Sequence, residues 1–315
     1  MTEIAKGVLG GSWTLILGWI LPSSLGLTLF GVIVLPSLTD LAPFADVSGA
    51  SASAQAIILL TASVILGLTL ASLATPLYRV LEGYLLWPSF WVEKRTNKHI
   101  VARRRAAAEV TSTHDGSRTS LRGSLALERF RRYPDHEGQI APSRLGNAIR
   151  RFEYYSYDRY QLSSQLLWNQ LRGASAESVA KDVDDARAGV DFFVCLLYVS
   201  GAVSLSALLA LLGDEGRVAT LIAGAVVSAA VAIACYPLAI FATDAWASAV
   251  KAMVDLGRLP LAQGLGLRMP DTLAEEREMW QQVGWFLGYQ FNAGAVANLD
   301  PYRAASDEDE AVTEN

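Results

Sequence analysis

Four uncharged apolar stretches constrain this chain more than any other feature of its sequence. They run from Thr14 to Ser37, Ala56 to Tyr78, Phe192 to Leu212 and Val218 to Thr243, and none contains Asp, Glu, Lys, Arg or His. A bilayer core about 30 Å thick is crossed by about 20 helical residues, so each stretch is long enough to span it. Inside hydrocarbon every backbone donor and acceptor must be paired, and a helix does this within one segment. Composition agrees: 52% of the 315 residues are hydrophobic, 18% are charged, and the charges are gathered in blocks between the apolar stretches. A soluble globule, a disordered chain and a disulfide-stapled module are excluded, the last because two cysteines make no framework. The expected fold class is all-α: a polytopic membrane protein with two transmembrane hairpins and helical cytoplasmic segments. The first apolar run exceeds the roughly 7–15 residues of a signal-peptide core and reads as a span. Pro22 and Pro237 lie inside the first and fourth spans and predict kinks, because proline removes a backbone donor and crowds the preceding turn.

Basic residues set the orientation. From Arg79 to Arg187 there are 19 of the 26 Lys and Arg residues, whereas residues 39–55 hold two acids and no base. Lys and Arg beside spans are retained in the cytoplasm, which places the middle segment and both termini inside. The chain divides into a cytoplasmic N-terminus (1–13), a first hairpin (14–78), a basic cytoplasmic helical segment (79–187), a second hairpin (188–243), C-terminal cytoplasmic helices (244–299) and an acidic tail (300–315), read as disordered. The expected location is the inner membrane of a bacterium.

Within the spans, Ser63, Gly67 and Ala71, and likewise Gly224, Ser228 and Ala232, form small-residue stripes suited to close helix packing. Hydroxyls at Thr61, Ser63, Thr69, Ser72, Ser200, Ser204 and Ser228 could instead line a polar path between assembled copies. In the second hairpin, turning near residue 215, positions whose numbers sum to about 430 lie at equal depth. This pairs Cys195 with Cys235 as buried reduced thiols, and brings Arg187 level with Asp244, either as a structural ion pair or with both side chains snorkelling into headgroups.

The most unusual segment outside the spans follows Pro142. Phe152, Tyr154, Tyr155, Tyr157, Tyr160 and Trp168 fall within 17 residues, with Arg150, Arg151, Arg159 and Arg172 among them. One reading is an amphipathic helix in the inner headgroup layer, with Arg150, Arg151, Tyr154, Tyr155, Arg159, Tyr160 and Trp168 binding anionic headgroups. The other is a helix packed on its cytoplasmic neighbours. Farther on, Thr272 and Glu275 form a capping box, and Leu273, Trp280, Val283, Leu287 and Phe291 mark one apolar stripe.

No constellation for catalysis stands out. The histidines at 99, 114 and 136 have neither metal-ligand spacing nor nearby cysteines. Two Ser-x-x-Lys matches, at 178–181 and 248–251, come without partner motifs, and there is no nucleophile elbow, phosphate loop or dinucleotide fingerprint. No catalytic residue, cofactor or metal is therefore expected. The run Arg103 to Arg105 is explained by cytoplasmic retention and anionic lipid, without nucleic acid.

Three groups of residues resemble those of a bacterial four-span integral-membrane family to which no activity is assigned. They are Leu77 to Tyr84 (LYRVLEGY), with the basic run after it; Pro142 to Asn147 (PSRLGN), leading to Glu153, Arg159, Tyr160, Leu167 and Trp168; and Leu265 to Leu267, leading to Glu275, Glu276, Arg277 and Trp280. The resemblance runs from the second span to the last helix. It implies a shared fold and brings no catalytic residue with it.

The expected function is non-enzymatic: a homo-oligomeric pore, or a scaffold that recruits cytoplasmic protein partners through its helices. The alternative is an interfacial enzyme acting on lipid headgroups, with Pro142 to Arg172 as its surface. Topology is directly testable. In a variant lacking the native cysteines, Ser48→Cys should label from outside and Ser117→Cys from inside; the opposite pattern overturns the orientation.

Overall fold

The computed structural model describes residues 13–39, 44–113, 121–213, 216–288 and 298–303. Its α-helices are α1 (Leu21–Ile33, continuing a π turn at Ile16–Ile20), α2 (Phe44–Gly49), α3 (Ala52–Ser72), α4 (Ala74–Glu82), α5 (Ser89–Thr113), α6 (Leu121–Arg131), α7 (Arg144–Glu153), α8 (Tyr155–Tyr160), α9 (Trp168–Ala174), α10 (Glu177–Ala210), α11 (Val218–Gly264) and α12 (Leu273–Gly288). Among the described residues there is no strand, only an isolated antiparallel bridge between Leu267 and Arg303. Four helical segments are long and apolar enough to cross a membrane: Trp13–Ile33, Ala52–Ser72, Glu177–Ala210 and Val218–Gly264. The chain is an all-α polytopic membrane protein. The residues expected to form the N-terminal segment before Trp13 and the tail after Arg303 lie outside the described residues, as do His114 and Ser117.

Several boundaries differ from the sequence reading. The second apolar stretch does not continue as one helix to Tyr78: α3 stops at Ser72, and α4 begins at Ala74. Pro76 lacks the N–H that would close the next helical turn, so a new helix starts with proline in its first turn. Pro22 follows the π turn at Ile16–Ile20, so the distortion expected there takes that form. The fourth span, expected to end at Thr243 with separate cytoplasmic helices after it, does not end there: α11 runs unbroken for 47 residues through Pro237 and Pro260.

The chain separates into two compact units. The first comprises Met1–His99, Ala141–Gly146 and Asp184–Trp246, and the second Ile100–Ile140, Asn147–Val183 and Ala247–Asn315.

In the first unit the N-terminal span touches each of the other three. A Cβ added to Gly67 of α3 would stand 2.8 Å from the Ile20 Cα, one added to Gly26 would run into Val199 of α10, and one added to Gly224 of α11 would run into Ile33. These glycines allow backbones to approach where a side chain would hold them apart. Ser63, Gly67, Gly224 and Ser228 are all buried, as expected of packing stripes. The hydroxyls are largely used by backbone: Ser63, Thr69 and Ser72 donate to carbonyls one turn back at 2.6, 2.8 and 2.9 Å. Ser204 donates across to the Ala225 carbonyl at 2.9 Å, in the register expected of the second hairpin. Both cysteines are free and buried, and Cys195 donates to the Trp19 carbonyl at 3.5 Å.

In the second unit, α7 buries Ile149 and Phe152, α9 with its N-cap buries Leu171 and Leu167, and α11 contributes Met253, Val254 and Leu261. Gly257 leaves space for Leu171 and Ser175, so α9 lies directly on α11. The buried face of α12 is Glu276, Met279, Trp280 and Val283. Leu273 and Leu287 of the expected stripe are exposed, and Phe291 lies outside the described residues. Of the expected capping box the Thr272 half is present: its hydroxyl accepts from the Glu275 N–H at 3.3 Å.

The glycine contacts predict a graded response. Gly67→Ala should destabilise the protein in detergent by about 1–3 kcal/mol, the usual range for overpacking. Gly31→Ala, where a Cβ meets nothing within 4 Å, should leave the melting temperature unchanged or slightly raised. Equal losses would mean that the close approach to Ile20 is absent.

Candidate functional site

The second unit gathers most of the aromatic and basic residues singled out after Pro142. The helix breaks at Tyr154, resumes as α8, and ends at Gln161, whose φ of 57° lies in the left-handed region. That break turns the tyrosines of α8 toward α11. The hydroxyl of Tyr155 donates to Asp255 Oδ2 at 2.9 Å, and that of Tyr160 to Oδ1 at 2.9 Å. The Arg258 guanidinium lies 4.5 Å from the Tyr160 ring centroid and pairs with Glu276 at 2.5 Å. Trp280 Nε1 donates to the same carboxylate at 3.2 Å, so the buried Glu276 charge has two donors. Arg277 donates to the Asp158 carbonyl at 2.7 Å and to the Arg159 carbonyl at 2.5 Å, fixing α12 on the end of α8.

Beside this network lies a cleft of about 970 Å³, open to solvent and lined by Asp135 to Gln139 except Glu137, by Glu153 to Gln165 except Tyr155 and Tyr160, and by Arg277. Its walls are held by their own polar groups. The buried Ser156 hydroxyl donates to Ser164 at 2.7 Å, and His136 Nε2 stands 3.2 Å from Asp158 Oδ1. No serine hydroxyl among the described residues hydrogen-bonds to His136, and no cluster of three or more His, Cys, Asp or Glu with metal-holding geometry occurs among them.

The expected headgroup residues are distributed over this unit. Arg150 Nε lies 3.7 Å from Glu153, and Arg151 donates to the carbonyls of Ala148 and Arg131 at 3.1 and 3.4 Å. Tyr154 meets Tyr157 edge to face, with centroids 6.3 Å apart, and both line the cleft. Tyr155 and Tyr160 hold Asp255, Arg159 is exposed at the cleft, and Trp168 opens α9 half-buried. Arg187, in the first unit, stands 3.8 Å from Asp191 one turn along its own helix and 5.7 Å from the Trp246 ring centroid. A same-helix acid at i+4 reaches it without depending on hairpin register. Asp244 is exposed.

Sequence reasoning missed Asp255, the acceptor at the centre of the network. The available signal was Lys251, Asp255 and Arg258 at helical spacing on one helix, which becomes visible only when α11 is carried past Thr243. Comparison of the chain with protein-family models, with curated proteins and with solved structures finds no match.

Burial, and then the hydrogen bond to Asp255 and its charge, push the Tyr155 phenol up to about 12 from 10.0. Tyr160 is raised for the same reasons. A phenol whose pKa is higher folded than unfolded lends its full stability below the unfolded value. That stability is lost as pH rises through the folded one, here between pH 10.0 and about 12. Phenolate absorbance of the folded protein should therefore show an upper limb above the main tyrosine titration, and Asp255→Asn should move that limb down. A limb unmoved by Asp255→Asn would show that the carboxylate does not act on these phenols.

Proposed function

We propose that this is a non-enzymatic protein of the bacterial inner membrane, a member of the four-span family its signature residues resemble, acting as a scaffold. In this reading both termini and the basic segment face the cytoplasm, the apolar helices anchor the chain, and the second unit presents its cleft to a cytoplasmic protein partner. The observation that carries the reading is the open polar cleft: Ser156, Ser164, His136, Asp158 and Arg277 hold its walls in place, which leaves a shaped hydrogen-bonding surface. A pore draws less support, because Ser63, Thr69, Ser72 and Ser204 donate to backbone carbonyls, and Ser200 and Ser228 are buried within one chain. Self-association belongs to the scaffold reading, with the exposed Ile57, Leu60 and Ile65 of α3 available to a second copy or to lipid.

A photo-crosslinking residue at Tyr157, in the cleft, should give discrete protein adducts in intact membranes. The same probe at the exposed Leu273 should not. Ion flux through liposomes containing the purified protein would establish the pore instead, and lipid turnover in those vesicles the interfacial enzyme.

A further inference from the structure

The cations around Tyr155 outnumber the acids available to them. Lys251 Nζ lies 5.0 Å from the Tyr155 ring centroid and the Arg159 guanidinium 5.9 Å from it. Arg151 donates to the Arg131 carbonyl, and Arg151, Arg159 and Arg131 are the cations that act on Lys251, with Asp135 the acid facing it. The surrounding carboxylates are committed elsewhere: Glu128 to Arg132, Glu137 to Arg103 and Arg104, Glu153 to Arg150, Asp158 to His136, and Glu276 to Arg258. Asp255, one turn along from Lys251, accepts from both tyrosine hydroxyls. Among the described residues no carboxylate forms an ion pair with Lys251, Arg131 or Arg159. Like charges held together repel, and an anion placed among them removes that repulsion while making charge-assisted hydrogen bonds. Arg159 and Asp135 also line the open cleft, which gives such an anion a way in.

We propose that Arg131, Arg151, Arg159 and Lys251 form a binding site for a phosphate group, carried either by a lipid headgroup or by a soluble phosphate ester. Arginine forks match phosphate oxygens two at a time, and the net charge of the group exceeds what a single carboxylate neutralises. The site rests on the reading of the second unit as the binding part of the protein and names the ligand class it takes. Its test uses no protein partner, so its failure is separable from failure of the scaffold.

The full chain in detergent is titrated calorimetrically, at fixed ionic strength, with dihexanoyl phosphatidic acid, dihexanoyl phosphatidylcholine and inorganic phosphate. Phosphatidic acid should bind and phosphatidylcholine should not. Lys251→Met, Arg159→Gln and the surface change Arg131→Gln should each weaken binding about tenfold, the loss of about 1.4 kcal/mol. Arg105→Gln, which removes one exposed charge outside the group, should leave affinity unchanged. Inorganic phosphate binding as tightly as phosphatidic acid identifies a soluble ester, and binding of the lipid alone identifies a headgroup. No binding of either anion, or an equal loss in Arg105→Gln, overturns the site.

Discussion

The hydrogen bond of 2.7 Å from Tyr78 to Asp191 is the constraint around which the first unit is arranged. Asp191 sits at the edge of the third apolar stretch and is 8% exposed, so its carboxylate has lost most of its water. A charge in that position is tolerated only when donors replace the hydration shell. They come from three helices: the phenol of Tyr78 on α4, the side chain of Trp19 at the start of the first span, and Arg187 one turn back on α10. Gly18 permits the approach, since a Cβ there would stand 3.0 Å from the Asp191 Cβ. The helix break before Pro76 has a role in this arrangement as well. A straight continuation of α3 would carry Tyr78 on along the same axis, whereas the new start at Ala74 brings its hydroxyl to Asp191 and the Leu77 carbonyl to the Tyr198 hydroxyl at 2.8 Å. Removing one donor would leave a buried charge short of partners, a loss that in other buried pairs costs about 3–5 kcal/mol.

The second unit uses the same device twice. Asp255 is held by two tyrosine hydroxyls, and Glu276 by one arginine and one indole, as Asp191 is held by a phenol, an indole and an arginine. Aromatic donors suit this purpose because each brings a large apolar body with its single polar group. The ring fills core volume and its O–H or N–H satisfies the acid. Short helices such as α8 and α9 have too few turns to be stable alone and gain their order from these contacts.

The four spans were legible because hydrocarbon permits few solutions, and an uncharged window of sufficient length nearly specifies a helix. Their ends were less legible. Asp244, Lys251, Asp255 and Arg258 mark the end of the uncharged window at Thr243, yet the same helix persists past it, because charged side chains disfavour hydrocarbon and not helical backbone. The stripe on α12 failed for a related reason. Leu273 and Leu287 were assigned to the buried face by hydropathy, while Glu276 was left out of it. Trp280 lies one turn along on the same face, but Arg258, the other donor, lies on a different helix, and without it the burial of Glu276 would be too costly to expect. Of the candidate site, the tyrosines and arginines were visible as an unusual composition. Their common acceptor Asp255 was not, since a long-range hydrogen bond leaves no local period.

The signature residues acquire a physical meaning from this geometry. LYRVLEGY and PSRLGN, separated by more than fifty residues, meet each other. Gly83 adopts a left-handed φ of 89° with Pro142 packed where its Cβ would lie, and a Cβ on Gly146 would stand 3.0 Å from the Glu82 carbonyl. Ser143 caps the following helix by accepting from the Gly146 N–H at 2.9 Å. In the second unit, Arg159 and Tyr160 of one signature meet Arg277 and Glu276 of another through a backbone carbonyl and through Arg258. At Gly83, Gly146 and Ser143 a larger or differently shaped side chain would collide with a neighbouring helix end or lose a backbone cap, so close contact alone restricts what the residues can be.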